Sequence, residues 1–325
     1  MKTFVLGLAA ASLFALSTLG ATPSVVISNS FAIDPAQQGW KTFGNSNLFN
    51  WNSTNGCLDV TWDSSKSNSY FYLPIGTVLT RKDDFAMEFD LTINDISTSF
   101  DQMALGFLNL GDATNSEFSR VTGSNSLNLA EFDYFHTADY GSDVYAEFSA
   151  TNLLKNGLSL EVDWGAPQIL LPLGKPLHVV QSYTRSTSTL VTTISNNGNT
   201  LYSRPFTISA SFTDFRCDAF AIESYNDPKP YNGAILRAHG SVRNVKLTVP
   251  VPPVRNIKGQ LQPTGWTVTF DSLVDWNYAL ERSSDLVTWT DVTTNIDRTE
   301  ATCTLQDRDA VTGARFYRVR AQRPN

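Results

Sequence analysis

The stretch Leu129-Ala130-Glu131-Phe132-Asp133-Tyr134-Phe135 places two carboxylates two residues apart inside an aromatic run. On a β-strand such residues share a face, about 6.6 Å apart, so Glu131 and Asp133 would work side by side. Paired carboxyl groups are the machinery of glycoside hydrolysis, where a retaining enzyme holds nucleophile and acid/base ~5–5.5 Å apart. The same pair can accept hydrogen bonds from sugar hydroxyls, or give oxygen ligands to Ca²⁺. Buried without partners the two would be costly, which favours a groove wall or a cation; a structural or solvated role stays open beside these. Leu127, Leu129 and Phe135 share the carboxylate side of the strand, and Ala130, Phe132 and Tyr134 take the other. Tyr134, Tyr140, Trp164 and Tyr225 are the candidate ligand-stacking aromatics, on or beside the acidic strand and its bordering loops. Trp40, Trp51, Trp62, Tyr70 and Tyr72 cluster in the first third and read equally as core or rim. Serine-hydrolase chemistry has no support, since no Gly-x-Ser-x-Gly elbow occurs and His136, His178 and His239 are scattered.

The chain around these residues supplies strands to position them. From residue 25 to 249, short apolar-alternating runs are separated by Asn, Gly, Ser and Asp clusters, the pattern of an all-β domain. In Phe85 to Ile93 every odd position is apolar, and Leu158, Leu160, Val162 and Trp164 face away from Glu161 and Asp163. Such strands have one buried and one wet face. Between Leu190 to Ile194 and Thr200 to Tyr202, Asn197-Gly198 supplies the positive φ that a hairpin turn requires. Turns recur about every eight to twelve residues, the spacing of a sandwich or jelly roll.

With 325 residues the chain exceeds one ordinary core, so two domains are expected. Pro250-Val251-Pro252-Pro253 marks the boundary, because proline cannot donate into a ladder and favours an extended spacer. The expected division is a jelly roll over 22–249, a linker over 250–256 and a small β-sandwich over 257–325. Met1-Lys2, the apolar run Phe4 to Leu16 and the stretch Ser17 to Ala21 have the three regions of a secretory signal. Residues 1–21 are therefore expected to be removed, leaving a secreted or cell-surface protein. That run is shorter than the ~20 residues needed to cross a bilayer, and no later one is long enough. The formal charge of −7, without runs of Lys or Arg, argues against a nucleic-acid partner. Three cysteines cannot all pair within one chain; a Cys57–Cys217 bridge and buried free thiols both stay open.

Three parts of the first domain resemble the concanavalin A-like lectin/glucanase superfamily, its laminin-G-like jelly rolls in particular. Pro176 to Tyr183, then Leu190 to Ile194, the Asn-Gly turn and Leu201-Tyr202, is similar to the segment that crosses the back of that sandwich. Phe220 to Ser224, an Asn- and Pro-rich loop and Gly240 to Leu247 are similar to its closing strands, which return beside the N-terminal strand. Phe31 through Trp40 to Trp62 has the look of a carbohydrate-module edge. The tail, with "WNYALERSSDLVTWTDV" and "RFYRVR", resembles small fibronectin-like domains of exported bacterial proteins, which serve spacing or attachment. The superfold hosts lectins, hydrolases, lyases and adhesion modules, so the resemblance implies fold more than activity.

The glucanases of that superfamily write their catalytic strand Glu-x-Asp-x-Glu or Glu-x-Asp-x-x-Glu. Matched residue by residue, Glu131 falls on the nucleophile and Asp133 on the assisting aspartate, but the acid/base falls on Phe135 or His136. Neither is a carboxylic acid, and only Asp139, Asp143 and Glu147 of the following loop remain as substitutes. Related carbohydrate modules often hold Ca²⁺ between the first and closing strands, which makes Asp34 a candidate ligand, with Arg243 opposing it; no cofactor is required. The leading expectation is a secreted, non-catalytic carbohydrate-binding or cell-surface adhesion protein that holds a polysaccharide or cell-surface glycan on the concave face. Glu131, Asp133, Tyr134, Tyr140, Trp164 and Tyr225 are its expected contacts. The alternatives are a glycoside hydrolase or polysaccharide lyase centred on Glu131 and Asp133, and a structural surface or matrix protein.

Overall fold

The computed structural model describes residues 23–99, 101–120, 126–137, 142–152, 157–163, 165–212, 214–227, 233–295, 301–309 and 315–324, with backbone only for 145–147, 149–152, 157–161 and 295. The expected signal segment lies outside them. Strands are numbered in chain order. An eight-stranded antiparallel sheet runs β13 (Asn199–Thr207), β12 (Thr189–Asn196), β11 (Pro176–Thr184), β6 (Phe85–Ile96), β15 (Arg237–Pro250), β4 (Cys57–Asp63), β3 (Phe49–Asn52), with β1 (Ser24–Asn29) also on β15. A seven-stranded sheet faces it: β10 (Gly157–Val162), β9 (Ser142–Asn152), β8 (Leu129–His136), β7 (Gln102–Leu108), β14 (Cys217–Ser224), β5 (Ser69–Leu79), β2 (Lys41–Phe43).

Period-two alternation builds the core between them. The odd positions Phe85 to Ile93 of β6 are buried while the even ones are half-buried, as their apolar pattern requires. From the facing sheet come Met103, Leu105 and Phe107 of β7, Ala130, Phe132 and Tyr134 of β8, and Phe220 and Ile222 of β14. Aromatic rings lock the two layers, with Phe89 edge-on to Phe132 at 5.8 Å and Phe85 edge-on to Phe107 at 5.5 Å. The hairpin from β12 to β13 turns on Asn197 (φ 48°) and Gly198 (φ 79°), the left-handed pair expected there. The closing strand β15 lies beside β1, as the resemblance implies. The architecture is an all-β jelly-roll sandwich.

Residues beyond it form two three-stranded sheets, β16 (Arg255–Gln262), β17 (Gly265–Asp271), β20 (Thr302–Asp307) and β19 (Thr290–Asn295), β18 (Asn277–Ser283), β21 (Phe316–Gln322). Val268, Phe270, Tyr278, Leu280 and Leu305 pack between them. The strand β16 was not anticipated. The proline run is tied down at both ends: Pro250 still pairs with Ser24, the Val251 N–H donates to Pro23 O (3.1 Å), and the Tyr278 hydroxyl donates to Pro253 O (3.0 Å). The chain end then returns to the jelly roll. Arg323 donates to Val78 O (2.9 Å) and grips the buried carboxylate of Asp83 with two nitrogens, and Arg216 donates to Arg323 O (2.8 Å). Cys57, Cys217 and Cys303 are buried free thiols, so the Cys57–Cys217 bridge does not form.

Candidate functional site

The alternation of β8 sends Leu129, Glu131 and Asp133 to the outer face of the seven-stranded sheet and Ala130, Phe132 and Tyr134 to the inter-sheet core. Across the ladder, Glu131 lies opposite Gly106 and Asp133 opposite Ala104 on β7, and Ala104 in turn lies opposite Glu223 on β14. Small residues on β7 let acids from either side meet above it. At Gly106 a Cβ would stand 2.6 Å from Ala130 O and 2.7 Å from the Glu131 Cα, so only glycine lets the chains approach this closely.

The outer face is covered by the segment from Asn109 to Arg120. Its first turn, Leu110–Ala113, is capped by the Asn109 side chain and anchored by the Leu110 N–H on Asp218 Oδ1 (2.8 Å). Tyr70 Oη donates to Ala113 O (3.0 Å), Asn68 Nδ2 donates to Phe118 O (3.2 Å), and the Phe118 ring stacks on Tyr225 at 6.0 Å. Ala104, Leu108, Leu129, Ala219 and Ala221 are sealed beneath. Consequently Leu129 to Tyr134 are buried on both faces of the strand, where the sequence pattern predicted a wet one.

Glu131 and Asp133 are both 0 % exposed, and Arg120 Nη2 reaches them at 2.8 and 3.3 Å. With its amide oriented so that the oxygen meets these donors, Gln102 accepts from Arg120 Nε (3.1 Å) and Nη2 (3.2 Å), and the guanidinium lies 5.4 Å above the Tyr225 ring. Tyr225 Oη, with one proton, sits within hydrogen-bond reach of Glu131 Oε1 and Glu223 Oε2 (2.9 Å to the latter). One of those carboxyls must therefore be protonated to complete the chain of bonds. Glu223 holds that proton: burial first, and then the Glu131 charge, push its carboxyl well above the ordinary range. The same two causes push Tyr225 up. The seat that a Ca²⁺ ion would take between Glu131 and Asp133 is thus filled by a guanidinium, and the pair does not fit a metal. Among the described residues no group of three or more His, Cys, Asp or Glu is arranged to hold one.

A second pair of carboxyls lies at the loop end of the same sheet. Asp101 and Asp227 are hydrogen-bonded to each other and half-buried, with Ser64 and Ser99 beside Asp101. The Ser99 Oγ contacts Asp101 Oδ2 at 3.3 Å, the Asp227 N–H donates to Ser64 O (2.9 Å), and the Ser99 N–H donates to His136 O (2.9 Å). Burial, opposed by a bond from Ser64 and reinforced by the Asp227 charge, raises Asp101 to about 6. Unlike Glu131 and Asp133, this pair keeps contact with solvent.

Of the expected contacts, Glu131, Asp133 and Tyr225 do come together, but as a buried cluster rather than a groove wall. Tyr134 is corrected: it is 1 % exposed in the inter-sheet core, where its hydroxyl accepts from the Leu171 N–H (3.2 Å) and no ligand reaches it. Tyr140, Trp164 and Asp139, and the side chain of Glu147, lie outside the described residues. Asp34 caps the turn Pro35–Gln38, accepting from the Ala36 N–H (2.9 Å). His136 Nδ1 pairs with Ser142 Oγ (2.9 Å). Sequence reasoning missed Arg120, Gly106, Glu223, Asp101 and Asp227. Glu223 was signalled by its place on the alternate face of Phe220 to Ser224, whereas Arg120, in a loop, left no pattern.

The two facing antiparallel sheets, with the closing strand beside the first, define a jelly-roll sandwich. No protein-family model matches the sequence, and no curated protein does. Solved structures similar to the chain include basic winged bean lectin with Tn-antigen, at 12 % identity over 70 % of this chain and 100 % of that one, TM-score 0.48. Peanut lectin with a 9mer peptide matches at 13 % identity over 70 % of this chain and 97 % of that one, TM-score 0.45. The Emp47p carbohydrate recognition domain matches at 10 % identity over 66 % of this chain and 89 % of that one, TM-score 0.39.

Proposed function

We propose that this protein is exported and binds a glycan without cleaving it, as a lectin-like or cell-surface adhesion module. The observation that carries the reading is the burial of Glu131 and Asp133 against Arg120. A glycosidase needs one carboxyl in contact with the anomeric carbon and another on the leaving oxygen. Two carboxylates with no exposed surface, bonded to a guanidinium, can do neither. They act as a buttress. The ligand-facing groups are the solvent-touching acids Asp101 and Asp227, backed by the buried Ser64 and Ser99; the two carboxyls offer clustered acceptors to neighbouring sugar hydroxyls.

The test is a polysaccharide array probed with the mature chain, Asp101→Asn and Glu131→Gln, scoring retention and released reducing ends. Retention by the parent, lost in Asp101→Asn and accompanied by no release, is the expected result. Release that disappears in Glu131→Gln would restore the hydrolase reading, and failure to retain any polysaccharide would remove the glycan one.

A further inference from the structure

Glu131, Asp133 and Glu223 are three fully buried carboxyls on one patch of sheet; with Glu223 holding a proton, the other two carboxylates need a cation to offset their burial. A metal ion gathered from solution would serve, and so would a side chain. We infer that Arg120 is the built-in cation of this sheet: its guanidinium occupies the seat of a divalent ion between Glu131 and Asp133. The chain therefore orders its ligand-bearing end without metal, and deleting that guanidinium converts the seat into a divalent-cation site.

The donors for such an ion are already oriented. Glu131 and Asp133 are aimed at Arg120 Nη2 (2.8 and 3.3 Å), and the Gln102 carbonyl faces the same guanidinium. The Tyr225 hydroxyl bridges Glu131 to Glu223. The remaining oxygen of Glu223, Oε1, is buried and has no hydrogen-bond partner, so the cluster holds an acceptor that Arg120 does not satisfy. Hard divalent ions take six to eight oxygens; with the guanidinium gone, Glu131, Asp133 and Gln102 supply the protein's share and water in the vacated volume the rest. Arg120 reaches the seat because the Asn109 to Arg120 segment is pinned across the sheet by Leu110, Ala113 and Phe118. The tether raises the local concentration of its charge far above that of any free ion. Metal uptake would have to displace a side chain that cannot diffuse away.

The experiment uses Tb³⁺ as the probe, its luminescence excited through the neighbouring Tyr225 and Tyr70, with thermal melting in EDTA and in Ca²⁺ alongside. For the full chain the melting temperature is expected to agree within about 1 °C between EDTA and millimolar Ca²⁺, with no Tb³⁺ luminescence that depends on Asp133. In Arg120→Ala, prepared with Ca²⁺, saturable Tb³⁺ luminescence should appear and the melting temperature should climb with Ca²⁺ concentration. Both effects should vanish in Arg120→Ala/Asp133→Asn, and Arg120→Lys, which keeps a charge in the seat, should show neither. A parent protein that loses stability in EDTA, or whose Tb³⁺ signal is abolished by Asp133→Asn, overturns the inference. A folded Arg120→Ala that takes up no Tb³⁺ overturns it too. Should Arg120→Ala not fold, the parent measurements decide alone. None of these readouts requires a glycan, so they stand or fall apart from the proposed function.

Discussion

Arg323→Ala tests whether the chain end joins the two-sheet tail to the jelly roll. The Asp83 side chain is 1 % exposed and Arg323 11 %, and the guanidinium makes two contacts with the carboxylate and one with Val78 O (2.9 Å). Removing one partner of a buried pair typically costs about 3–5 kcal/mol, because the other charge is left without compensation. Asp83 Oδ2 keeps bonds from the Thr80 N–H (2.9 Å) and hydroxyl (3.0 Å), which places the cost near ~3 kcal/mol. At roughly 2–4 °C per kcal/mol for chains of this order of size, the melting temperature should fall by about 6–12 °C. Calorimetry should also show the tail sheets melting ahead of the jelly roll. Asp83→Asn in the same chain should recover much of the loss, since the stranded charge is the costly element. A variant that melts within ~1 °C of the parent, in an unchanged single transition, would refute the reasoning.

Gly106→Ala drives a methyl group into the backbone of Ala130 and Glu131, and urea unfolding should register a loss of about 1–3 kcal/mol. Glu223→Gln replaces a carboxyl that already holds its proton and should cost no more than about 1 kcal/mol at pH 7. Glu131→Gln, which strips a partner from Arg120, should cost about 3 kcal/mol, and equal losses for the two would contradict the proton assignment. Asp101 titrates near 6 when folded and near the ordinary carboxylate value when unfolded, so the folded chain binds the extra proton between about pH 4 and 6. Stability relative to Asp101→Asn should therefore fall by about 1–2 kcal/mol as pH rises through that window, solvent screening included, and stay level on either side. A rise, or no change, would place the shared proton elsewhere.

The jelly roll was legible because its information is local. Alternation in Phe85 to Ile93, the Asn-Gly turn and the closing run Gly240 to Leu247 each state a face, a reversal or a strand in a few residues. Alternation also placed Glu131 and Asp133 together and away from Phe132. What it could not report is what covers a face. Segment 109–120 does so through one helical turn, two side-chain bonds and a ring stack, none of which has a period. Glu223 stands 92 positions beyond Glu131 in sequence and two strands away in space, so their proximity is a property of topology alone. The tail shows the converse limit: the proline run read as a spacer because its bonds to Pro23 and Tyr278 come from distant residues.

The position of β15 has a consequence for the order in which the chain can become a protein. This strand pairs with β1, β4 and β6, three segments that emerge from synthesis long before it. Until residue 250 is available the eight-stranded sheet has a gap at its centre, and β1 has no partner at all among the described strands. The centre of the eight-stranded sheet therefore forms only through contacts over long sequence separations, which carry a loop-closure cost that the local ladders β3–β4 and β7–β8–β9 do not. Arg323 then reaches back 240 positions to Asp83, a stitch that can be made only after every strand of the jelly roll has emerged.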